Sequence, residues 1–563
     1  LARQLSEQAT LRAAPRLPRG PRPSHTRLVC LLPLSGSAAL QEALDFTCAN
    51  MQAALEAMRV RSRLLGSRSI AEALGPQAFT PFGEASAVSW LGALERRYQI
   101  ILYRADPFAS EWSTRCVRQA DLVLLVGLSG EDPDEKPIER LRDETPTELV
   151  LLHRHGAAPA GTRRWLERRA GVRTHHHLRL HDAVGGAEFD AHHPCSDFHR
   201  LARWVAGLSF GVVLGGGGAK GLAHLGLLRA LREEGVPVDI VGGTSQGAFL
   251  SGVWALHDDP YNEVGSLSQI RLVVRTFCAR MSSIWSKVLE ITLPHTSYFS
   301  GDGFNNVIIR AFGSAKIEDT PTPFFCVSTD LSSCNGLVHR NGALWRYVRA
   351  SMTLTGYLPP LCDTLKDDDG AESVHLLVDG GYVNNLPADV MRKEIGAHTI
   401  IACDVGSEQT LPSPNYGESL GGWLPMLRRL NPFGPAISAE CPEVPTMAQI
   451  SSQLAYVSSE WQRDEAMSND IDVYVRPPVG EFGTLEFDKL NRIQQLGYEH
   501  SRAQLREWKA GLTARGDPRA VVFELAARAA KPPTRQIAET MSPRTNGAPR
   551  RGWRAPLGEM FEA

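Results

Sequence analysis

The chain has 563 residues, more than one ordinary hydrophobic core contains, which predicts two domains with tails. Its composition, 43% hydrophobic and 22% charged with a net charge of −2, is typical of a globular protein and argues against nucleic acid or a polybasic membrane surface as the main partner. The ten cysteines form no C-x-x-C pair, which favours reduced thiols in a cytosolic setting. The sequence contains no run of about 18 apolar residues, so we predict no membrane span within it. Because the chain starts with Leu, we expect a fragment of a longer protein.

Two segments precede the part of the chain that carries chemistry. Residues 1–26 are basic and proline-rich, which predicts a disordered arm or linker. Residues 27–200 predict an α/β module with a parallel sheet covered on both faces, because short apolar runs alternate with helical stretches such as Ala39–Val60. The predicted strands are Leu28–Leu34, Ile100–Tyr103, Leu122–Gly127 and Leu149–His153. No G-x-G-x-x-G or Walker pattern follows any of them, so we interpret the module as docking or regulatory.

Eight histidines near the end of this module invite a metal-site interpretation. Their spacing matches no zinc pattern, and we predict that they are solvated loop residues. They are His153, His155, His175, His176, His177, His181, His192 and His193.

The stretch from Phe210 to His257 predicts strand, glycine loop, helix, strand, sharp turn and helix. Its first strand, Phe210–Leu214, runs into the glycine loop GGGGAKG, and its second, Val238–Val241, runs into the G-x-S-x-G sequence around Ser245. A serine at such a turn is exposed on a strained elbow, and the following helix presents its positive end to an oxyanion. This pattern predicts a serine acyl hydrolase.

The glycine loop has three interpretations. Its G-x-G-x-x-G pattern, with Asp239 further on, is also found in dinucleotide-binding folds, but this acid opens the second strand instead of closing it. A P-loop does not fit, because Lys220 is followed by Gly221 and not by Ser or Thr. We favour a cluster of backbone N–H groups that stabilises an oxyanion next to Ser245.

The residues alone leave two candidates for the catalytic base. His398 would complete a Ser-Asp-His triad, since it follows the acid in the chain. Asp379 is the alternative: it ends a predicted strand at Leu376–Val378 and would act directly on the serine.

The remaining predicted elements surround this stretch. Arg271–Val288 is helical, and Phe324–Thr329 and Ile400–Asp404 are core strands. Residues 406–515, with helices at Met447–Glu460 and Leu490–Lys509, form an extension packed on the catalytic domain of residues 208–405. Residues 530–563 are rich in Pro, Arg and Gly and predict a disordered tail.

Three motifs, GGGGAKG, GTSQG and DGG, occur in the order found in patatin-like phospholipases. Their contexts, such as FGVVLGGGGAKG and LLVDGGYVNNLPADV, resemble the neuropathy target esterase branch of that family, and the resemblance covers most of residues 28–510. It implies an α/β fold in which a patatin-like domain with a central, mostly parallel sheet follows a smaller Rossmann-like α/β domain.

The resemblance also implies a Ser-Asp dyad without histidine. Ser245 is then the nucleophile, Asp379 the base, and the amides around Gly216, Gly217 and Gly218 form the oxyanion hole. The other motif positions are Gly221, Gly243, Gly247, Gly380 and Gly381. Two residues depart from the family pattern, since Gln246 stands where a branched apolar residue is expected and Lys220 where arginine is expected. No cofactor or metal is implied, and we interpret Asp367–Asp369 as a solvated acidic loop.

The implied substrates are lysophosphatidylcholine and phosphatidylcholine, cleaved to glycerophosphocholine and fatty acid at the cytosolic face of the endoplasmic reticulum. The family is expected to carry a membrane anchor and cyclic-nucleotide-binding-like domains, which this sequence lacks. Leu420–Phe433 either contacts a membrane interface or, as we slightly favour, packs on the core. Two alternatives stay open: a Ser-Asp-His esterase or acyltransferase, and a catalytically silent module that binds lipid or nucleotide.

Overall fold

The computed structural model describes most of residues 27–529. The parts left out within that range are 80–82, 143–144, 155–156, 170, 181–192, 260–262, 284–289, 294, 367–371, 407–418, 420–449 and 451–468. The predictions for Leu420–Phe433, for Asp367–Asp369, for both chain ends and for all but one residue of Met447–Glu460 therefore lie outside the described residues.

The first domain is a parallel sheet with helices between its strands. Its strands are β1 (Leu28–Pro33), β2 (Ser62–Gly66), β3 (Ile100–Arg104), β4 (Leu122–Leu128), β5 (Thr147–His153) and β6 (Val172–Arg179). Its helices are α1 (Ala38–Ala57), α2 (Ser67–Leu74), α3 (Glu84–Arg97), α4 (Glu111–Gln119), α5 (Thr162–Leu166) and α6 (Asp197–Val205). The strand order is β2-β3-β1-β4-β5-β6, and every pairing is parallel. All residues of β4 and β5 are buried, as expected of strands covered on both faces.

The four strands predicted for this domain are confirmed, and two others, β2 and β6, were not predicted. Both contain arginine, and β6 also contains His175, His176 and His177. The prediction of solvated loop histidines is wrong for these three and for His153, which lies in β5. His155, His181 and His192 lie outside the described residues, and His193 is half-buried.

The buried histidines of β5 and β6 are accommodated because each contacts a polar partner. His153 Nε2 lies 2.9 Å from His177 Nδ1, and His177 Nε2 lies 2.9 Å from the carbonyl oxygen of Glu318. His176 Nε2 lies 3.0 Å from a carboxylate oxygen of Glu148. Burial lowers the pKa of His153 to about 4, which keeps this imidazole neutral near pH 7. Since Glu318 lies in the second domain, between α10 and β9, these contacts also join the two domains.

The second domain is a larger, mixed sheet. Its strands are β7 (Phe210–Leu214), β8 (Ile240–Thr244), β9 (Phe324–Asp330), β10 (Asn335–His339), β11 (Leu361–Lys366), β12 (Glu372–Asp379), β13 (Thr399–Cys403) and β14 (Val473–Val475). Its helices are α7 (Ala223–Glu233), α8 (Gln246–His257), α9 (Glu263–Ser282), α10 (Asp302–Phe312), α11 (Leu344–Ser351), α12 (Leu490–Ala514) and α13 (Arg519–Ala529). The order is β11-β12-β9-β8-β7-β13-β14, with β10 also paired to β9.

The centre of this sheet is parallel, and its β12 side is antiparallel. Strands β14, β13, β7, β8 and β9 run in one direction, whereas β10, β11 and β12 add antiparallel pairs. The prediction of an α/β protein with a central, mostly parallel sheet is confirmed. The carboxyl ends of β7 and β8 are therefore adjacent, and each leads into one of the motifs found in the sequence.

Element boundaries differ from the predicted ones mainly where glycine interrupts the apolar pattern. Strand β8 begins at Ile240 instead of Val238 and continues through Gly242 and Gly243. A Cβ on Gly242 would lie 2.2 Å from the Phe325 ring of β9, so a side chain does not fit at this position. Helix α9 begins at Glu263, eight residues before the predicted start.

The described residues from 469 onward add to the second domain. Strand β14 extends its sheet, and the predicted helix from Leu490 is present as α12. Helices α12 and α7 approach each other closely at Gly226, since a Cβ at this position would lie only 2.2 Å from the backbone nitrogen of Tyr498. Arg502 of α12 also donates a 2.9 Å hydrogen bond to Glu234. No helix in the described part of the chain combines the length and apolar composition needed to cross a bilayer.

Candidate active site

Ser245 occupies a strained turn between β8 and α8. Its φ of 55° and ψ of −124° place it in a region that residues other than glycine rarely adopt. The turn passes very close to β7: a Cβ on Gly247 would lie 1.9 Å from the carbonyl oxygen of Leu214, and one on Gly243 would lie 2.2 Å from the same atom. The G-x-S-x-G spacing is therefore a packing requirement of this turn.

The backbone of Ser245 is held by a neighbouring helix. Its N–H donates a 2.9 Å hydrogen bond to Ser351 Oγ, and the Ser351 hydroxyl donates one of 2.6 Å to the carbonyl oxygen of Val327. Ser351 ends α11 and is fully buried. Ser351 was not predicted from the sequence, because the position of a lone serine over a hundred residues away gives no indication of this contact.

Asp379 lies next to Ser245 at the end of β12. The Ser245 hydroxyl donates a 2.6 Å hydrogen bond to Asp379 Oδ2, and the N–H of Gly381 donates one of 2.8 Å to Oδ1. The backbone N–H of Asp379 donates to the carbonyl oxygen of Thr353 (2.9 Å), and Thr329 Oγ donates to the Asp379 carbonyl oxygen (2.8 Å). These contacts fix the carboxylate on the serine hydroxyl.

The Asp379 carboxyl is buried, and its surroundings change its acidity. Burial raises its pKa to about 6, while the hydrogen bonds from Ser245 and Gly381 lower the pKa and partly oppose this effect. A carboxylate with a pKa close to neutrality is a better proton acceptor than an ordinary aspartate and is still ionised at pH 7. The geometry and the acidity of Asp379 therefore both suit a general base.

The other candidate base, His398, lies elsewhere. It immediately precedes β13, and its Nδ1 is 3.0 Å from the hydroxyl of Ser209, which precedes β7. Both strands are parallel to β8, so His398 lies at the amino ends of the strands and Ser245 beyond their carboxyl ends. Five strand residues separate these ends by about 15 Å. No histidine is among the described residues that line the cavity at Ser245.

The glycine loop after β7 faces the same cavity. A Cβ on Gly216 would lie 3.1 Å from the Cβ of Ser245, which shows how closely the loop approaches the serine. The N–H of Gly216 donates a long, 3.3 Å bond to the carbonyl oxygen of Asn385. The N–H groups of Gly217 and Gly218 donate to no described residue. Two of the three predicted oxyanion amides thus have no partner, as an oxyanion hole requires.

His224 holds the glycine loop from behind. Its Nε2 lies 2.8 Å from the carbonyl oxygen of Gly215, and burial lowers its pKa to about 4. The imidazole is therefore neutral, and Nε2–H donates to that carbonyl. By contrast, Asp239, the acid of the dinucleotide-binding interpretation, is paired with Arg203 at 2.5 Å and accepts from the N–H of Phe210. Asp239 therefore lies at the amino ends of β7 and β8, whereas the glycine loop follows the carboxyl end of β7.

The two residues that depart from the family pattern both line the cavity. Gln246 is 1% exposed, and neither amide atom has a hydrogen-bond partner among the described residues. Its side chain packs on Gly221, where a Cβ would lie 2.6 Å from Gln246 Cγ. Lys220 is also buried, and burial lowers its pKa to about 8. The positive charge expected at this position is retained in a poorly solvated place.

The cavity at Ser245 has a volume of about 150 Å³ and walls of two kinds. Its polar wall contains the glycine loop, Lys220, Ser245, Asp379 and Asn385. Its apolar wall contains Phe277, Met281, Phe304, Met352, Leu354, Tyr357, Leu358, Leu485 and Phe487. A second cavity adjoins it and shares Met281, Phe304, Tyr357 and Leu358. Within the described part of the chain, no group of three or more His, Cys, Asp or Glu side chains is arranged to hold a metal ion.

Comparison with known proteins matches both domains. Residues 25–192 match the Neuropathy Target Esterase family P-loop like domain, and residues 212–392 match the patatin-like phospholipase domain. The chain therefore contains a patatin-like phospholipase domain that follows a Neuropathy Target Esterase family P-loop like domain. The patatin-like match includes Ser245, Asp379 and the glycine loop.

Three curated relatives show how far the similarity extends. Human patatin-like phospholipase domain-containing protein 6 is 40% identical over 509 residues, which are 87% of this chain and 35% of the relative. Rat patatin-like phospholipase domain-containing protein 7 is 41% identical over 79% of this chain and 33% of its own length. Neuropathy target esterase sws of Drosophila melanogaster is 41% identical over 77% and 30%. The chain spans about a third of the length of these relatives.

Two solved structures also match this patatin-like chain. VipD from Legionella pneumophila has a TM-score of 0.27 and 12% identity, over 53% of this chain and 67% of its own. The type III effector protein ExoU has a TM-score of 0.18 and 15% identity, over 53% of each chain.

The P-loop-like domain raises the question of a bound nucleotide, and its residues do not fit one. Ser35 and Ser37, in the loop between β1 and α1, both donate hydroxyl hydrogen bonds to the carboxylate of Glu131, the former at 2.7 Å. Ser37 also caps α1 by accepting from the N–H of Leu40. A carboxylate of the chain therefore occupies the position where a P-loop binds phosphate.

Proposed function

We propose that this chain is a serine hydrolase that cleaves fatty-acyl esters of phospholipids and lysophospholipids through an acyl-serine intermediate at Ser245. The observation that carries the proposal is the 2.6 Å hydrogen bond from Ser245 to the buried carboxylate of Asp379, in a cavity that has both a polar and an apolar wall. In this proposal residues 208–405 carry the catalytic residues, residues 406–515 complete the domain, and residues 27–200 have a docking or regulatory role.

In the first step, Asp379 accepts the Ser245 proton while the serine oxygen attacks the ester carbonyl carbon. The carbonyl oxygen becomes an oxyanion, which the free N–H groups of Gly217 and Gly218 and the positive end of α8 stabilise. The carbonyl re-forms as the bond to the alcohol oxygen breaks, and that oxygen takes the proton from Asp379. The alcohol, glycerophosphocholine or a lysophospholipid, leaves, and the acyl group remains on Ser245.

In the second step, water repeats the attack. Asp379 takes a proton from the water, the resulting hydroxide adds to the acyl carbon, and the serine oxygen leaves with that proton. Ser245 and Asp379 return to their starting states, and the fatty acid is released. The fixed carboxylate suits both steps, because its backbone contacts hold it in place while the serine changes partners.

The two connected cavities support a lipid as the substrate. An acyl chain fits the apolar wall and the adjoining cavity, while the ester and headgroup side faces the glycine loop and Lys220. The relatives are named phospholipase domain-containing proteins and an esterase, which agrees with this assignment. We propose lysophosphatidylcholine and phosphatidylcholine as substrates, at the cytosolic face of the endoplasmic reticulum.

The test measures fatty-acid release from micelles of lysophosphatidylcholine and vesicles of phosphatidylcholine. The parent chain should release fatty acid, Ser245→Ala should release none, and His398→Ala should retain the parent rate, because His398 lies at the other end of the sheet. A fall of about 10²-fold or more in His398→Ala would favour the Ser-Asp-His alternative instead. A parent chain that binds the lipid without releasing fatty acid would favour the silent module.

A further inference from the structure

Three large apolar side chains are exposed in one short segment. The described residues 290–293 and 295–300, called here the 290–300 loop, include Ile291 with 63% of its surface exposed, Leu293 with 88% and Tyr298 with 43%. Scattered exposed apolar residues are ordinary in soluble proteins, but three in one segment of this length form a patch of the kind that contacts a partner or a membrane.

The exposure of this loop is built into its backbone pairing. Ile291 and Phe299 form an antiparallel bridge, and the N–H of Thr292 donates a 3.0 Å bond to the carbonyl oxygen of Tyr298. Tyr298 and Phe299 in turn donate to the carbonyl oxygens of Gly356 and Tyr357, at 2.9 and 3.2 Å. The loop is therefore pinned to the segment that lines the cavities, and its apolar side chains are held outward.

The same loop is continuous with the route to Ser245. Glu290 and Phe299 line the second cavity, which shares Tyr357 and Leu358 with the cavity at the serine. Arg280 also lines the second cavity and is itself exposed, so this cavity reaches the protein surface beside the loop. An acyl chain that enters beside the loop would pass from the exposed apolar side chains into the second cavity and then to the apolar wall of the cavity at Ser245.

The bordering helix contributes positive charge. Leu272, Arg275 and Arg280 of α9 are exposed, and Arg280 lines the second cavity together with Glu290 and Phe299 of the loop. Neither arginine forms an ion pair with any described acid. Arginine at the border of an apolar patch matches the phosphate layer of a bilayer, and tyrosine is enriched at the same depth. This combination favours a phospholipid surface over a protein partner.

We propose that the 290–300 loop and the exposed face of α9 form a docking surface for a phospholipid bilayer. Ile291 and Leu293 enter the headgroup region, Arg275 and Arg280 contact phosphates, and the acyl chain of a substrate passes from the bilayer into the second cavity. This inference rests on the proposed lipid hydrolysis for its purpose, but the docking itself is measurable without catalysis.

The test compares the double variant Ile291→Asp/Leu293→Asp with the control Phe108→Asp/Val374→Asp. The control residues are similarly exposed, at 63% and 65%, and lie in the first domain and on β12, away from the cavities. Co-sedimentation with phosphatidylcholine vesicles should fall about tenfold or more in the loop variant and should be retained in the control. Hydrolysis of a water-soluble short-chain ester should be retained in both.

Equal vesicle binding by the parent and the loop variant would overturn the proposal, as would an equal loss in the control. Loss of soluble-ester hydrolysis in the loop variant would also contradict it, because the loop would then act on the site itself. A parent chain that binds vesicles through the loop but hydrolyses no ester would refute the proposed function and leave the docking surface intact.

Discussion

The polar groups at the carboxyl ends of the parallel strands differ between the two sheets. In the first domain, Ser37 caps the helix after β1, and Glu131 accepts hydrogen bonds from the hydroxyls of Ser35 and Ser37. In the second domain, Ser245 precedes α8 without a side-chain cap, and the amides of Gly217 and Gly218 have no partner among the described residues. The polar groups at this end of the first domain are hydrogen-bonded within the chain. Those of the second domain are available to hydrogen-bond a substrate.

The difference shows that topology alone does not make a site. Both domains place a loop and a helix N-terminus after a central parallel strand, where α/β proteins commonly bind ligands. The second domain adds backbone strain at Ser245 and a buried carboxylate whose pKa is raised. We infer that catalysis depends on these unsatisfied and strained groups, and that the first domain has none at the equivalent place among its described residues.

Replacing the carboxylate at the carboxyl end of each sheet by an amide should give the largest difference in kcat. Asp379→Asn removes the proton acceptor for Ser245 and should lower kcat by about 10³-fold. Glu131→Gln should leave kcat within about twofold, because the Glu131 carboxylate is hydrogen-bonded to Ser35 and Ser37 of the first domain. Fatty-acid release by the two variants and the parent, with circular dichroism to verify folding, measures this. Comparable losses in both variants would remove the distinction between the two ends.

The glycine loop after β7 and the loop between β1 and α1 should differ in their tolerance of a glycine-to-alanine substitution. Gly218 has a φ of +58°, and its Cβ would lie 2.4 Å from the carbonyl oxygen of Thr484, so Gly218→Ala must displace the oxyanion loop and should lower kcat by about 10²-fold. In Gly36→Ala the new Cβ would lie 3.8 Å from the Cβ of Pro107, an ordinary contact. This control should retain the parent's kcat and melting temperature; a parent-like Gly218→Ala would contradict the assigned role of the loop.

The pH dependence should report the buried carboxylate of the second domain. Asp379 must be ionised to accept a proton and its pKa is about 6, so kcat/KM should fall about tenfold per pH unit below that value. The folded-state pKa exceeds the unfolded one, so the contribution of Asp379 to the stability of the parent falls as the pH rises from about 4 to about 6, where only the folded state holds the proton. Melting temperatures of the parent and Asp379→Asn should therefore diverge, in favour of the variant, across this range. A pH-rate profile that stays flat down to pH 4 would contradict the assignment of Asp379 as the base.

The smallest expected effect concerns Gln246. Because its buried amide has no hydrogen-bond partner among the described residues, Gln246→Leu should raise the free energy of unfolding by about 1 kcal/mol. Urea denaturation measures this change, and Gln495→Leu, on an exposed position of α12, provides the control, with an expected change within about 0.5 kcal/mol. Destabilisation by Gln246→Leu would show that the amide has a partner when the protein is in solution.

The sequence predicted the site better than it predicted its support. Glycine patterns specify a local backbone path, so the position of Ser245 after β8 and the glycine loop after β7 followed from the spacing. The contacts of Ser351 with this turn and of His224 with Gly215 did not, because each depends on tertiary packing that no periodicity records.

The first domain shows the same limit in its strands. The apolar runs of β1, β3, β4 and β5 were recognisable, whereas β6 was not, since it contains three histidines, of which His176 and His177 are buried, beside Arg179. These side chains tolerate burial only because Glu148, the carbonyl oxygen of Glu318 and His153 provide partners from other elements. A polar run therefore predicted a loop where tertiary hydrogen bonding forms a strand.

The most direct measurement of the central claim is covalent labelling with a fluorophosphonate probe, followed by mass mapping of the modified residue. If Ser245 is the nucleophile and Asp379 its base, the parent chain should carry a single label on Ser245, and Ser245→Ala should carry none. Labelling should be slowed by about 10³-fold in Asp379→Asn and should keep the parent rate in His398→Ala. A label on Ser245 that forms at the parent rate in Asp379→Asn, or a parent chain that takes up no label at all, would contradict it.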